Sequence, residues 1–171
     1  MEMANLFCGD HDPQKSKHLT LEELKLPDLQ EETTDHTPGG GIGSIDIAVG
    51  GISKLEPTFK LKGWDPLLMR EFGIGTSTAK RFTAYGVIRD KKTGRQFEAK
   101  AVLEGRLSRI APDAFTRGDA MGHEYGISEV YHYELFFDGA EEVYFDLWTN
   151  TVRIGGEDRF ATANRILRIG E

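Results

Sequence analysis

The sequence has a single cysteine, Cys8. It therefore excludes an intrachain disulfide framework and a four-cysteine zinc site. Proline is scarce, at 6 of 171 residues, whereas glycine is plentiful at 20. That balance suits many turns between strands rather than long helices. No run of 18 apolar residues occurs, so no helical membrane span or anchor is expected. The first residues, Met1-Glu2-Met3-Ala4-Asn5, carry neither the basic region nor the apolar stretch of a secretory signal. There is no Gly-x-Ser-x-Gly, no His-Glu-x-x-His and no other nucleophile signature. The net charge of −7 is the wrong sign for a protein that grips nucleic-acid backbones. What remains is an ordinary globular composition with 39% apolar residues. At this length one domain, 1–171, buries roughly 70% of its unfolded surface.

The charge is unevenly spread. Residues 1–36 hold nine acids and three lysines, while the other 135 residues are nearly neutral. From Gly118 to Val152 there are eight acids and no Lys or Arg; from Arg89 to Arg109 there are seven basic residues and three acids. Two readings are open. These are solvated strand faces, or they are opposite faces of one subunit that meet in a repeated head-to-tail contact.

Residues 1–18 show no periodicity and read as an arm. Leu19, Leu21, Leu24 and Leu26 suit a short strand stopped by Pro27. Residues 30–43 contain almost nothing apolar and read as a long polar loop. From Ser44 the period is two: Ile45, Ile47 and Val49, then Leu55, Phe59 and Leu61, each predict a half-buried strand, with Pro57 marking an edge or a bulge. Trp64–Gly73 predicts one short helix, with Asp65 as cap, Pro66 at its first position and Gly73 at its end. Strands are expected at 80–89, 95–107 and 123–137, with polar connections at 90–94 and 111–122. A further strand at 151–154 precedes a helix within 157–168. The fold class is mainly β, a sandwich or barrel with one central short helix and a second at the C-terminus.

The turn at Asp138-Gly139 offers a register test. A two-residue turn sets Leu135 against Glu142. A three-residue turn, 138–140, sets Leu135 against Val143, Tyr133 against Phe145, Tyr131 against Leu147 and His132 beside Asp146. The second keeps apolar faces together and is preferred.

Three constellations invite chemistry. Gly39-Gly40-Gly41-Ile42-Gly43 lacks the Gly-Lys-Ser/Thr ending of a phosphate loop and precedes a strand, so it reads as a flexible segment. Cys8, His11 and His18 are spaced like metal ligands but sit on an acidic arm, which makes a weak site; a cysteine there could also join two chains. His132, Glu134 and Asp146 read as an acid–base cluster or, equally, as a cross-strand pair on a wet face. No cofactor is implied, and the profile suits an assembly protein better than an enzyme.

From Asn5 to Gly170 an ordered set of segments resembles the major tail tube proteins of contractile-tailed phages and R-type pyocin-like particles. The set is Asn5-Leu6-Phe7, Leu26-Pro27-Asp28-Leu29, Gly39-Gly40-Gly41 leading into Ser44–Gly50, and Leu55-Glu56-Pro57-Thr58-Phe59. The helix at 67–73, Leu103–Leu107, Tyr131, Tyr133 and Leu135 before Asp138-Gly139, and Gly156-Glu157-Asp158-Arg159 complete it. Two departures stand out: Gly155-Gly156 occupies the place of a frequent Asn-Gly pair, and the turn after Gly139 reads one residue longer.

The resemblance implies sixfold rings stacked into a hollow tube of about 24 joined strands, inside a contractile sheath. It implies a virion location after assembly in the host cytoplasm. The implied partners are the chain itself, a sheath protein, and baseplate and tail terminator proteins, with DNA passing through unbound. Within that frame Gln30, Glu31, Glu32, Asp35, His36, Gly39, Gly40 and Gly41 are expected to reach the next ring. Ser44, Asp46, Glu56, Thr58, Glu98 and Glu104 are expected to line the channel, and Glu141 and Glu142 to face the sheath. Two other readings stay open. One is the tube of a DNA-free contractile particle or a type VI-like secretion system. The other, more remote, is a small β-barrel enzyme or ligand-binding protein.

Overall fold

The computed structural model describes residues 1–75 and 78–169. In chain order the strands are β1 (Met3–Cys8), β2 (Leu21–Lys25), β3 (Glu31–His36), β4 (Ile45–Ile52), β5 (Thr58–Lys62), β6 (Lys80–Arg89), β7 (Gln96–Pro112), β8 (Gly122–Phe137), β9 (Ala140–Asp146), β10 (Thr151–Ile154) and β11 (Glu157–Asp158). The helices are α1 (Pro66–Met69) and α2 (Ala161–Leu167). The molecule is mainly β, as the alternation predicts.

Two long strands organise it. β7 and β8 pair along most of their length, with irregularities between Glu104 and Arg106 and between Leu107 and Arg109. Bulges bend and twist a ladder. Gly105 sits at this bend because a Cβ there would lie 2.8 Å from Ile127 Cγ2 and 3.0 Å from the Ser128 carbonyl. The bend lets one ladder serve two wings. The large wing runs β1-β6-β7-β8-β9-β10-β11, and the small wing adds β5 and then β2 to the first half of β8.

The inner faces of the wings pack on each other. Phe59 of β5 stacks on Tyr125 at 5.1 Å and meets Phe82 of β6 at 6.3 Å. Leu6, Leu61, Leu103, Leu107, Ile127 and Tyr133 complete the buried centre. Each such side chain contributes about 1.5–3 kcal/mol by leaving water.

Several expectations need correction. Residues 3–8 are an edge strand of the large wing, paired from Met3↔Val87 to Cys8↔Phe82, not part of an arm. The strand escapes a period-two test because apolar residues stand on both its faces, with Asn5 the single polar residue. Leu6 enters the core, while Phe7 on the outer face packs on His11 at 5.1 Å and Tyr85 at 6.1 Å. Cys8 packs against the core, and burial pushes its thiol up to about 12. At neutral pH it holds no thiolate for joining chains. Residues 31–36 are a strand, not a loop. β4 does pair with it, but Ile45, Ile47 and Val49 are 59%, 42% and 57% exposed rather than half-buried against a core.

Pro57 marks no edge: β5 has partners on both sides, and the buried Pro57 ahead of it accepts a hydrogen bond from Ile127 N through its carbonyl at 3.1 Å. Asp65 caps α1, accepting from Leu68 N at 3.0 Å, and Pro66 opens it. The helix nevertheless stops at Met69, and Gly73 N is drawn to Leu107 O of β7 at 2.9 Å.

The β8–β9 turn holds two residues, not three. Asp138 and Gly139 have φ of 48° and 82°, the positive pair that a type I′ turn requires. Phe137 therefore faces Ala140. The favoured register is still reached, because Glu142 is an extra residue between Phe136↔Glu141 and Leu135↔Val143. Tyr133 meets Phe145 and His132 meets Asp146 beyond it.

Candidate assembly surfaces

The basic and acidic segments of the sequence are neighbouring strands of one chain. Arg106 pairs with Glu129, Arg109 reaches Glu124 at 2.7 Å and Arg95 reaches Asp138 at 2.9 Å. Three of the seven basic residues thus pair with three of the eight acids inside the subunit, which leaves Lys91, Lys92 and Glu142, among others of those segments, without an ion pair among the described residues. Surfaces for other molecules must be sought where charge or apolar area is left over.

The largest such feature is the β3–β4 hairpin, a separate two-stranded sheet. Its base is closed by a bond from Ser53 N to Gln30 O at 2.8 Å. Gly50, at φ +79°, lies where the register shifts between Glu31 and Thr33. Residues 31–50 are exposed throughout. Directly paired residues share a face, so Ile45 and Ile47 lie with His36 and Thr34 on an apolar side. Asp46 and Ala48 lie with Asp35 and Thr33 on the other. Ile42 is fully exposed at the tip.

Residues 26–53 carry five acids and no Lys or Arg. The flanking acids are paired, Asp28 with Lys25 at 2.9 Å and Glu56 with Lys54 at 3.8 Å. Among the described residues, Glu31, Glu32, Asp35 and Asp46 reach no cationic side chain.

The outer face of the large wing is a second surface, and its charges are almost all paired. Arg81 Nε donates to Glu104 at 2.8 Å. Arg153 grips Glu141 through two bonds of 2.8 and 2.7 Å, and its guanidinium lies 3.6 Å from the centre of the Tyr144 ring. Lys100 lies over the rings of Phe136 and Tyr85. The His132 ring sits between Asp146 and Glu134, each at 3.1 Å. Asp146 also accepts from Thr149 N at 2.9 Å and Thr149 Oγ1 at 3.0 Å. Burial raises the Asp146 pKa, but the Thr149 and His132 bonds outweigh it and hold the carboxyl below its usual range.

A test of pH dependence follows. A depressed carboxylate contributes stability that is present above its unfolded pKa of about 3.9 and lost as the pH falls through the lower folded value. The melting-temperature gap between the native chain and Asp146→Asn should be widest near neutral pH and shrink in acid below about pH 4. A gap that is constant with pH would rule out this role for the carboxylate.

The outer face of the small wing is ion-paired as well, through Lys60–Asp113 at 2.8 Å and Lys62–Glu22 at 2.7 Å.

The residues expected in one channel wall are split among these surfaces. Glu98 and Glu104 share the outer face of the large wing. Thr58 lies on the outer face of the small wing, which points the other way. Ser44 and Asp46 belong to the hairpin, and Glu56 to the segment that follows it. The loop set does come together: Glu31, Glu32, Asp35 and His36 form β3, and Gly39, Gly40 and Gly41 form the tip, where Gly41 N bonds Pro38 O at 3.0 Å. Of the two glutamates expected to face a sheath, Glu141 is committed to Arg153, and only Glu142 is exposed without an ion pair among the described residues.

Cys8, His11 and His18 do not converge. Cys8 faces the core, His11 packs on Phe7 and Tyr85, and His18 Nδ1 lies 2.8 Å from Ser16 Oγ. Sequence reasoning missed the exposed apolar side of β4. The hint was its setting: no second apolar strand lies within the acidic stretch around it.

The fold has relatives among solved structures. The Hcp protein aligns with a TM-score of 0.54 at 10% identity, over 82% of this chain and 96% of that one. Hcp1 from Salmonella typhimurium aligns at 0.50 and 12%, over 88% and 99%. A chain of the PVC sheath–tube complex, an extracellular contractile injection system in its extended state, aligns at 0.53 and 10%, over 78% and 88%. No curated protein matches the sequence significantly. The family model described as phage tail tube protein FII matches residues 11–167, nearly the whole of this two-winged β fold with its projecting hairpin, and the chain belongs to that family.

Proposed function

We propose that the subunits close into sixfold rings and that the rings stack into the inner tube of a contractile tail, through which DNA passes. The observation that carries this reading is the β3–β4 hairpin. It leaves the body with both faces exposed, an uncovered apolar row and four unpaired carboxylates. Such a segment is at rest only against another molecule. Six is the number that the resemblance to contractile tail tubes implies. Ring closure would also pair the outer edges of β1, β2 and β11, which end the sheet in the lone subunit.

The outer face of the large wing is the channel wall in this reading. It carries Glu98, Glu104, Glu134, Glu141, Asp146 and Asp158 against Arg81, Arg89, Lys100 and Arg153. Acids outnumber cations, and ion pairs or aromatic rings occupy the cations. Such a wall repels phosphate rather than binding it, as a conduit for DNA requires. Thr58, facing the other way, is not in the wall. A sheath surrounds the tube in this reading, which the likeness to a chain of the PVC sheath–tube complex supports, and of the two glutamates expected to face it Glu142 is the one left free. Terminator and baseplate proteins close the two ends, which places the chain in the virion tail after assembly in the host cytoplasm. The likeness to a chain of an extracellular contractile injection system supports a second reading, the tube of a DNA-free contractile particle or a type VI-like system, and nucleic acid recovered from purified particles separates the two.

The deciding experiment is negative-stain microscopy of the purified chain over a range of concentrations. Sixfold rings and tubes are expected. A monomer that persists in light scattering at high concentration, without rings in micrographs, overturns the reading.

A further inference from the structure

The hairpin has a matching surface at the opposite end of the molecule. One end of the large wing carries Cys8, Lys80, Gly105 and the β9–β10 turn. The hairpin is rooted there, where Glu32 and Ile52 line a groove with Val130, Tyr131 and Leu147. The other end carries Met3, the β6–β7 turn and the β8–β9 turn.

At that second end a mainly apolar cleft of about 420 Å³ opens along β1, β6 and β7, lined by Met3, Ala4, Tyr85, Val87 and Phe97, with the polar Asn5, His18, Gln96 and Glu98 also in its lining. Beside it the β6–β7 turn presents Lys91 and Lys92. The turn is ordered by Asp90, whose Oδ1 accepts from Lys92 N at 2.8 Å and whose Oδ2 accepts from Thr93 Oγ1 at 2.6 Å. Its other cations are engaged, Arg89 with Glu2 and Arg95 with Asp138, each at 2.9 Å. Lys91 and Lys92 are exposed and reach no acid among the described residues.

The two ends are complementary. Near the hairpin tip Asp35 and Asp46 are direct cross-strand partners on one face. Like charges so placed are destabilising until a cation lies beside them. The tip beyond them has no charge and presents Ile42. A tip that presents Ile42, with Ile45 and two carboxylates behind it, fits a mainly apolar cleft with two lysines beside it.

We infer that the cleft between β1, β6 and β7 is the socket for the hairpin of a second copy of this chain. Ile42 enters the cleft, and Asp35 and Asp46 meet Lys91 and Lys92. The inference rests on the proposed stacking and names the surface that receives the hairpin. Donor and acceptor lie at opposite ends of one subunit, so the contact is heterologous and repeats without closing along an axis.

A charge exchange tests it. K91E/K92E and D35K/D46K each alter exposed residues, so circular dichroism should show native folds. Each pair should lower the tube yield in sedimentation by more than about tenfold, because every junction then sets like charges together. The four changes combined in one chain restore opposite signs and should restore tubes. Ile42→Ser should lower the yield by a similar factor. If the native chain forms tubes but K91E/K92E or I42S polymerises as well as it does, the socket lies elsewhere. A fourfold variant that folds and stays unassembled also places the socket elsewhere. If the native chain forms no tubes, the stacking itself falls, and the socket with it.

Discussion

Replacing Glu31–Ile52 with a short Gly-Ser linker should leave a folded subunit that no longer polymerises. The junction is favourable because Ser53 N already donates to Gln30 O at 2.8 Å, so the ends to be joined are neighbours. The strands removed form a sheet of their own, and their loss breaks no ladder of the main sheet. Only Ile52, at the base, packs against the core. The shortened chain should therefore keep its far-ultraviolet circular dichroism and a cooperative melt, with a midpoint lowered by a few degrees at most. Tubes should be absent from micrographs and from the sedimented fraction. Tubes of normal length would show that the hairpin has no part in stacking. Loss of the cooperative melt would show that it belongs to the core.

Phe59→Ala should produce the largest loss of stability. Phe59 is 2% exposed and lies where the two wings meet, stacked on Tyr125 and against Phe82. Both neighbours are held by strand pairing and cannot collapse into the space. Removing a buried phenylalanine ring costs about 3–5 kcal/mol. For a chain of this size that lowers the melting temperature by roughly 6–20 °C. Assembly should fall with it, because rings need folded subunits. A shift within the error of the melt would mean that the wings are not held together through this ring. Phe115, 79% exposed in the loop after β7, is the control; Phe115→Ala should leave the melt almost unchanged.

The chain is a structural protein of a tail tube, not an enzyme. The cluster most suggestive of chemistry has a plain structural account: His132 lies between two carboxylates, Glu134 and Asp146. The same three residues on adjacent strands form ordinary cross-strand contacts.

Much of the fold was legible in the sequence because strand alternation and turn chemistry are local. Phe82 and Ala84, Leu103 and Leu107, and Tyr133 and Leu135 alternate with polar residues, and they face inward or pack against the core. Asp65-Pro66 opens a helix by satisfying a free N–H and fixing φ. Even the β8–β9 register was accessible, since only one pairing joins Leu135 to Val143. The device that achieves it was not: a type I′ turn followed by an extra residue at Glu142 gives the same register as the three-residue turn that the sequence favoured.

The sequence by itself determined the alternating strands from β4 onward, their facing and the acidity of the segment around the hairpin, because these depend on residues a few positions apart; β1 and β3, which lack a polar–apolar alternation, it did not. Tertiary structure alone decided what covers each face and which charges are satisfied. Ile45, Ile47 and Val49 alternate as regularly as any core strand, yet no second layer lies over them. Alternation marks two faces without saying what meets either. Arg106 and Arg109 of β7 pair with Glu129 and Glu124 of β8 because the bulged ladder makes them neighbours, which satisfies those charges within the subunit. Ion pairs depend on distances of a few ångströms between residues far apart in sequence. Once such pairing is made, the charges left over are set by the fold, among them the hairpin carboxylates at one end and Lys91 and Lys92 at the other.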